Sequence, residues 1–436
     1  MKQTFTHLFI LTCFFWLLSG CDRDNLHPVL SPGLLPLEEY TAWGDGFTAG
    51  FTQASWQYHG LPGLFAEGQQ YAYPNLLAQQ FSLVDTNVHF QQYLTPGNGS
   101  GYFLLESIDS DPCEEQPPSL YREILAADPI WTEPTDSQPD NLAVPYLSVA
   151  KTMDEDLYWK SPFASRLGLE GSYLQAMADE QGRMATLWLG LEDVLGYAMT
   201  GTASAAYSAT SVELFADRFA QMLDQLTASP LGRDYLIVGN IPDPTSFPYF
   251  QAMPHRFASA EDCGNRSWLI YFQDANTGDV RFASEEDRVL LLAQQELGKS
   301  NDLPGQKGLH RENPLPAQMV LSREGVKEIQ GIVKDYNRTI DSLVTDLNGR
   351  KGYIAAIVVD LHQQFEELNS GQVIDGANVS NTYLSGGIFD SDGRNLTPRG
   401  QAFVANAFIK AINENTPWRA HLPLLDLGNY PGMRYP

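Results

Sequence analysis

The chain has 436 residues, 43% of them hydrophobic and 18% charged, which is enough apolar material for at least one large packed core and excludes a disordered or low-complexity protein. Its 53 acidic and 27 basic residues leave a net charge of −26. A surface this acidic argues against nucleic acid and anionic lipid headgroups as partners and favours neutral ligands or cations.

The first twenty residues read as a processing signal. Lys2 supplies a positive start, Leu8 to Leu18 is an apolar run too short to span a membrane comfortably, and Leu18-Ser19-Gly20-Cys21 resembles a bacterial lipobox. Residues 1–20 are thus expected to be a lipoprotein signal peptide, Cys21 the acylated anchor, and 21–36 a tether. Two further cysteines, Cys113 and Cys263, would lie in a compartment that permits disulfides, and the spacing leaves open whether they pair.

From residue 37 onward, apolar runs and helical periodicity alternate. Tyr40 to Trp43, Met184 to Leu189, Tyr235 to Gly239 and Tyr353 to Asp360 have the near-continuous apolar character of parallel strands buried on both faces. Helical spacing recurs in Val212 to Leu226, Ser284 to Gly298, Ser322 to Thr345 and Pro398 to Asn413. The pattern predicts a three-layer α/β/α sandwich around a mainly parallel sheet. Two stretches interrupt it, one near 94–142, rich in Pro, Asp, Ser and Gly, and one near 248–301, with a hairpin signal from Trp268 to Ala283 around Asn276-Thr277-Gly278. The expected organisation is a single domain over 37–415 with these insertions, followed by a C-terminal tail at 416–436.

Four short blocks lie in order at domain-scale spacing. They are Trp43-Gly44-Asp45-Gly46-Phe47-Thr48-Ala49-Gly50, Val144-Pro145-Tyr146, Trp188-Leu189-Gly190-Leu191-Glu192-Asp193, and Asp392-Gly393-Arg394-Asn395-Leu396-Thr397-Pro398-Arg399-Gly400. Together they resemble the SGNH (GDSL) ester hydrolases, whose patterns read GDSxxxG, VPG, GxND and DGxHxTxxG. The likeness to the bacterial lipoproteins of that group extends to Tyr73-Pro74-Asn75 and Gly239-Asn240-Ile241-Pro242-Asp243.

The resemblance implies a serine nucleophile, a histidine base oriented by an aspartate, and oxyanion donors from a glycine and an asparagine. The corresponding positions hold Gly46, Asn395, Asp392, Tyr146 and Glu192. Glycine has no attacking atom, and an amide carries no proton usefully near neutral pH. Loss of nucleophile and base costs on the order of a million-fold in a comparable triad. A carboxylate in place of the asparagine donor removes roughly 3–4 kcal/mol of stabilisation and adds repulsion toward an oxyanion.

Three further readings concern the same region. Ser55 with His59 could form a relocated dyad, although a helical path from Gly46 to Ser55 would separate them by about 13 Å. Asp45, Glu192, Asp193 and Asp392 map to the carboxyl end of the sheet, where a hard cation is conceivable, but scaffold and capping roles account for them, and neither metal nor cofactor is expected. Among the aromatics Trp43, Trp56, Tyr58, Phe65, Tyr71, Tyr73 and Tyr146, the better candidates for a binding surface are Trp56 and Tyr58, beside Asp45, Gly46, Tyr146, Glu192 and Asn395. The sequence thus points to a lipid-anchored protein of the bacterial cell envelope, catalytically silent, that binds a small neutral ligand (a glycan or acyl group) or an envelope protein and no nucleic acid. The alternative is an ester hydrolase, whether esterase, lipase or carbohydrate deacetylase, working through a rearranged site.

Overall fold

The computed structural model describes residues 29–52, 63–95, 103–109, 119–124, 139–157, 161–169, 171–180, 182–202, 208–230, 234–258 and 267–432. Cys21, Ser55, Trp56, Tyr58, His59, Cys113 and Cys263 lie outside these residues.

Four parallel strands form the centre of the molecule: β1 (Tyr40–Gly44), β2 (Met184–Trp188), β3 (Tyr235–Gly239) and β4 (Ala356–Val359), side by side in that order. Their register sets Ala42 opposite Thr186, Thr186 opposite Ile237, and Ile237 opposite Ile357. Every residue of β1, β2 and β3 is buried, as expected for strands covered on both faces. A fifth extended segment, 140–144, runs parallel to β1 on its free side. Ala42 N–H donates to the Asp140 carbonyl (2.8 Å), Leu142 N–H to that of Ala42 (2.8 Å) and Val144 N–H to that of Gly44 (2.9 Å). With this segment counted as second in the chain, the lateral order is 2-1-3-4-5, that of a doubly wound fold whose direction of winding reverses beside β1. The end of the expected 94–142 insertion therefore belongs to the sheet.

Helices cover both faces. On one, α1 (Tyr73–Ser82) packs on α5 (Pro398–Glu414), with Tyr73 stacked on Phe408 at 4.9 Å and edge-on to Trp188 at 5.8 Å. On the other lie α2 (Glu192–Met199), α3 (Val212–Leu226) and α4 (Arg323–Lys351), where Phe215 stacks on Tyr336 at 4.1 Å. The helix α4 buries Val326, Ile329, Val333, Tyr336, Ile340, Val344 and Leu347, a stripe at three- and four-residue steps. Ser322 caps its start by accepting from Gly325 N–H, and Gly352, with φ of +72°, ends it. The fold is thus α/β in three layers, as the alternation of the sequence predicts.

Two sequence expectations require correction. Ser284 to Gly298 is not a helix: Arg288–Val289 pairs antiparallel with Val320–Leu321, and a 3-10 turn follows over Leu291–Gln295. The buried Asp287 accepts from Ser284 N–H, Arg281 and Arg323 N–H, and these bonds hold the chain away from the helical path. The described parts of 21–36 and 416–436 pack onto the domain. Ser31 exchanges backbone hydrogen bonds with His421, Leu34 N–H donates to the Trp418 carbonyl, and Trp418 is buried. The hairpin signal is matched by Tyr271–Gln273 paired with Val280–Phe282 across Gly278, whose φ is +76°. No helix among the described residues is long and apolar enough to cross a membrane.

Candidate functional site

The four sequence blocks meet at the carboxyl ends of β1 and β2, beside the reversal of winding where doubly wound sheets bind ligands. The strand β1 must end in glycine. A Cβ at Gly44 would lie 2.1 Å from Thr48 Oγ1 and 2.5 Å from the Trp188 carbonyl oxygen. Asp45 then caps a short helical turn, Gly46–Ala49, by accepting from Phe47 N–H at 3.1 Å. Gly46 is under no such constraint. Its backbone is ordinary, and the nearest atom to an added Cβ would be Phe51 Cγ at 3.5 Å, a normal van der Waals distance. The fold would accept a serine there without steric cost.

Tyr146 shows the converse. Its φ is +63°, in the left-handed region that favours glycine, the residue the SGNH pattern carries at this place. The conformation costs roughly 1–2 kcal/mol for a residue with a Cβ. Its ring is edge-on to Phe51 at 5.6 Å, and the Arg394 guanidinium carbon lies 5.5 Å from its centroid, within cation–π range.

Arg394 is the residue that organises the cavity. Its Nη2 lies 2.6 Å from Glu192 Oε1, and the two side chains are only 16% and 13% exposed. Burial opposes the guanidinium charge, but Glu192, followed by Tyr146, Asp392 and Asp45, holds its pKa above the usual arginine value. Asp392 sits below. One oxygen accepts from the N–H groups of Arg394 and Asn395 (both 2.9 Å), and the other from Asn395 Nδ2 at 2.6 Å. This aspartate–amide pair holds the loop. Asp45 is 4% exposed, and burial, reinforced by Glu192, pushes its carboxyl up to about 8, so it is neutral at pH 7. Asp193 points away from the cavity and accepts from Val149 N–H, Ala150 N–H and Thr210 Oγ1, while burial raises it to about 6.

The remaining space is small, about 10 Å³, room for one water molecule. Gly46, Tyr146, Glu192 and Asn395 line it with Asp45 and Arg394, whereas Asp392 supports it from beneath. Among the described residues no serine, threonine, cysteine or histidine lines it. Among the described residues no group of three or more acidic, histidine or cysteine side chains is arranged to hold a metal ion, and the cation between Asp45, Glu192 and Asp392 is supplied by Arg394 itself. Of the aromatic candidates, Trp43, Phe65 and Tyr73 are core residues, each at most 2% exposed. Arg394 had no role in the sequence reading. Its one local signal is a basic residue beside Asn395 in a chain poor in cations.

No family model and no curated protein matches the chain. Two solved structures are similar at low identity. One, described as a GDSL-like lipase from Parabacteroides merdae ATCC 43184, is 10% identical over 88% of this chain and 97% of its own, with a TM-score of 0.34. The other, BT4096, described as a gut microbial diltiazem-metabolizing enzyme, is 9% identical over 88% of this chain and 47% of its own, with a TM-score of 0.28. Overlaps of this size assign no activity.

Proposed function

We propose that this chain is a lipid-anchored protein of the bacterial envelope whose SGNH/GDSL-like domain no longer hydrolyses esters and serves in binding or envelope assembly. The observation that carries the reading is the buried Arg394–Glu192 pair. It fills the cavity where an acyl group would sit, beside a glycine with no hydroxyl and an amide with no transferable proton. Glu192 would repel a developing oxyanion, and Arg394, already neutralised by it, offers little in return. Separating the buried pair to admit a substrate would leave each charge enclosed without its partner. For the anchor, the support is the Leu18–Cys21 motif.

The purified protein is expected to resist a fluorophosphonate probe and to leave short acyl esters intact. Labelling that Ser55→Ala abolishes would overturn the reading in favour of a rearranged hydrolase. Gly46→Ser alone is expected to change stability by no more than about 0.5 kcal/mol, because the new Cβ meets only a normal contact, and to restore no turnover. For the anchor, metabolic labelling with a fatty-acid analogue should mark the protein, and Cys21→Ala should abolish the mark. Persistence of the mark in that variant would refute lipidation at Cys21.

A further inference from the structure

The carboxyl edge of the sheet carries a second opening, over β3 and β4, away from the filled cavity. Two adjoining depressions of about 240 and 550 Å³ share Asp243, Gln330, His362 and Glu366 as walls, and every residue lining either one is polar or charged. The floor is built by hydrogen bonds between the loops that leave the two strands. Asn240, directly after β3, donates to Asp360 Oδ1 at 2.9 Å and accepts from His362 N–H at 2.7 Å. Asn337 of α4 clasps Ile241 from both sides, its Oδ1 accepting the N–H at 2.8 Å and its Nδ2 donating to the carbonyl at 2.9 Å. His362 Nδ1 lies 3.2 Å from the Ile241 carbonyl. A carbonyl can only accept, so that contact makes Nδ1 the donor and fixes the ring at the groove wall. Gln330 is positioned by Asp243 Oδ2 at 2.9 Å and by Thr245.

We infer that this groove is a binding site for a neutral polyhydroxylated ligand, a saccharide or similar polyol. The lining selects the class. An acyl chain or aromatic compound is held by apolar and aromatic side chains, and none is among the lining residues. Charges of both signs line the groove, Lys334 and Arg338 together with Asp341, Asp360 and Glu366, so a strongly ionic ligand of either sign meets repulsion as well as attraction. Hydroxyl groups, which donate and accept at once, match such a mixture of amides, carboxylates and cations. The side chains of Glu366 and Lys334 make no ion pair or hydrogen bond among the described residues, although both line the same depression. Their bonding capacity is therefore open to a ligand. The site also obeys the rule that open α/β sheets bind at the carboxyl ends of their strands, displaced here from the filled switch point to the neighbouring pair.

The test is a glycan array carrying neutral mono- and oligosaccharides beside uronic acids, sugar phosphates and amino sugars, probed with the full chain and followed by calorimetry with the best neutral binder. Neutral glycans should bind. Gln330→Ala and Glu366→Ala should each weaken binding about tenfold, the loss of one hydrogen bond to a ligand hydroxyl. Glu366 has no partner to lose, so its variant should fold and melt as the parent does. Binding of only the charged sugars, no binding to any neutral glycan, or neutral binding that both variants leave intact would overturn the assignment. The readout is affinity and not ester turnover, so its failure leaves the reading of the filled cavity untouched.

Discussion

Arg394→Met is expected to destabilise the protein by about 3–5 kcal/mol, measured by denaturant unfolding at pH 7. The guanidinium is the single cation among Glu192, Asp392 and Asp45, all of which draw its pKa upward against burial. Without it the Glu192 carboxylate stays enclosed with no partner, which is the costly outcome, whereas removing both members of such a pair often costs little. Glu192→Leu combined with Arg394→Met should therefore recover most of the loss, and the coupling between the two sites in a double-mutant cycle should exceed about 1.5 kcal/mol. A cycle with no coupling would mean that the 2.6 Å contact contributes nothing to the fold, and the filled-cavity reading would lose its main support.

The sheet was legible because its signals are local. Tyr235–Gly239 was delimited correctly by its apolar run alone, and α3 and α5 by their periodicity to within one residue. The four blocks were legible for a related reason: Gly44, Asp45 and Gly50 have backbone or capping duties that leave a residue pattern. The pairing that closes the cavity left none. Glu192 and Arg394 stand 202 positions apart and meet only because β2 and the loop before α5 end at the same edge. The edge segment 140–144 was hidden because its apolar run, Leu142 to Val144, is only three residues long and ends a polar stretch. The helix expected at Ser284–Gly298 failed where Asp287 took the backbone donors for itself, a tertiary choice no window average contains. The groove over β3 and β4 was illegible for the same reason as the ion pair, since Asp243, Gln330 and His362 come from three distant segments.

Stability should fall as pH rises from about 5 to 8, and Asp45→Asn should remove most of that slope. The carboxyl of Asp45 is pushed up to about 8 in the folded protein against an ordinary value of 3.8, burial being the larger cause and Glu192 the next. Between those two values the folded chain holds a proton that the unfolded chain has released, so the folded state is favoured at low pH and loses that advantage at up to about 1.4 kcal/mol per pH unit. Over pH 5–8 the expected loss is roughly 3–4 kcal/mol, levelling off above pH 8, where both states are ionised. Asp193, raised to about 6, adds to the slope only in the lower part of the window. Asparagine keeps the cap on Phe47 N–H and presents an amide to Glu192 in place of an ionising acid, so the variant should match the parent near pH 5 and exceed it by several kcal/mol at pH 9. Unfolding free energies at pH 5, 7 and 9 for both proteins decide it. Parallel curves would show that Asp45 is charged in the fold and that the cavity holds two carboxylates on one arginine, in which case Arg394→Met should cost more than the range given above.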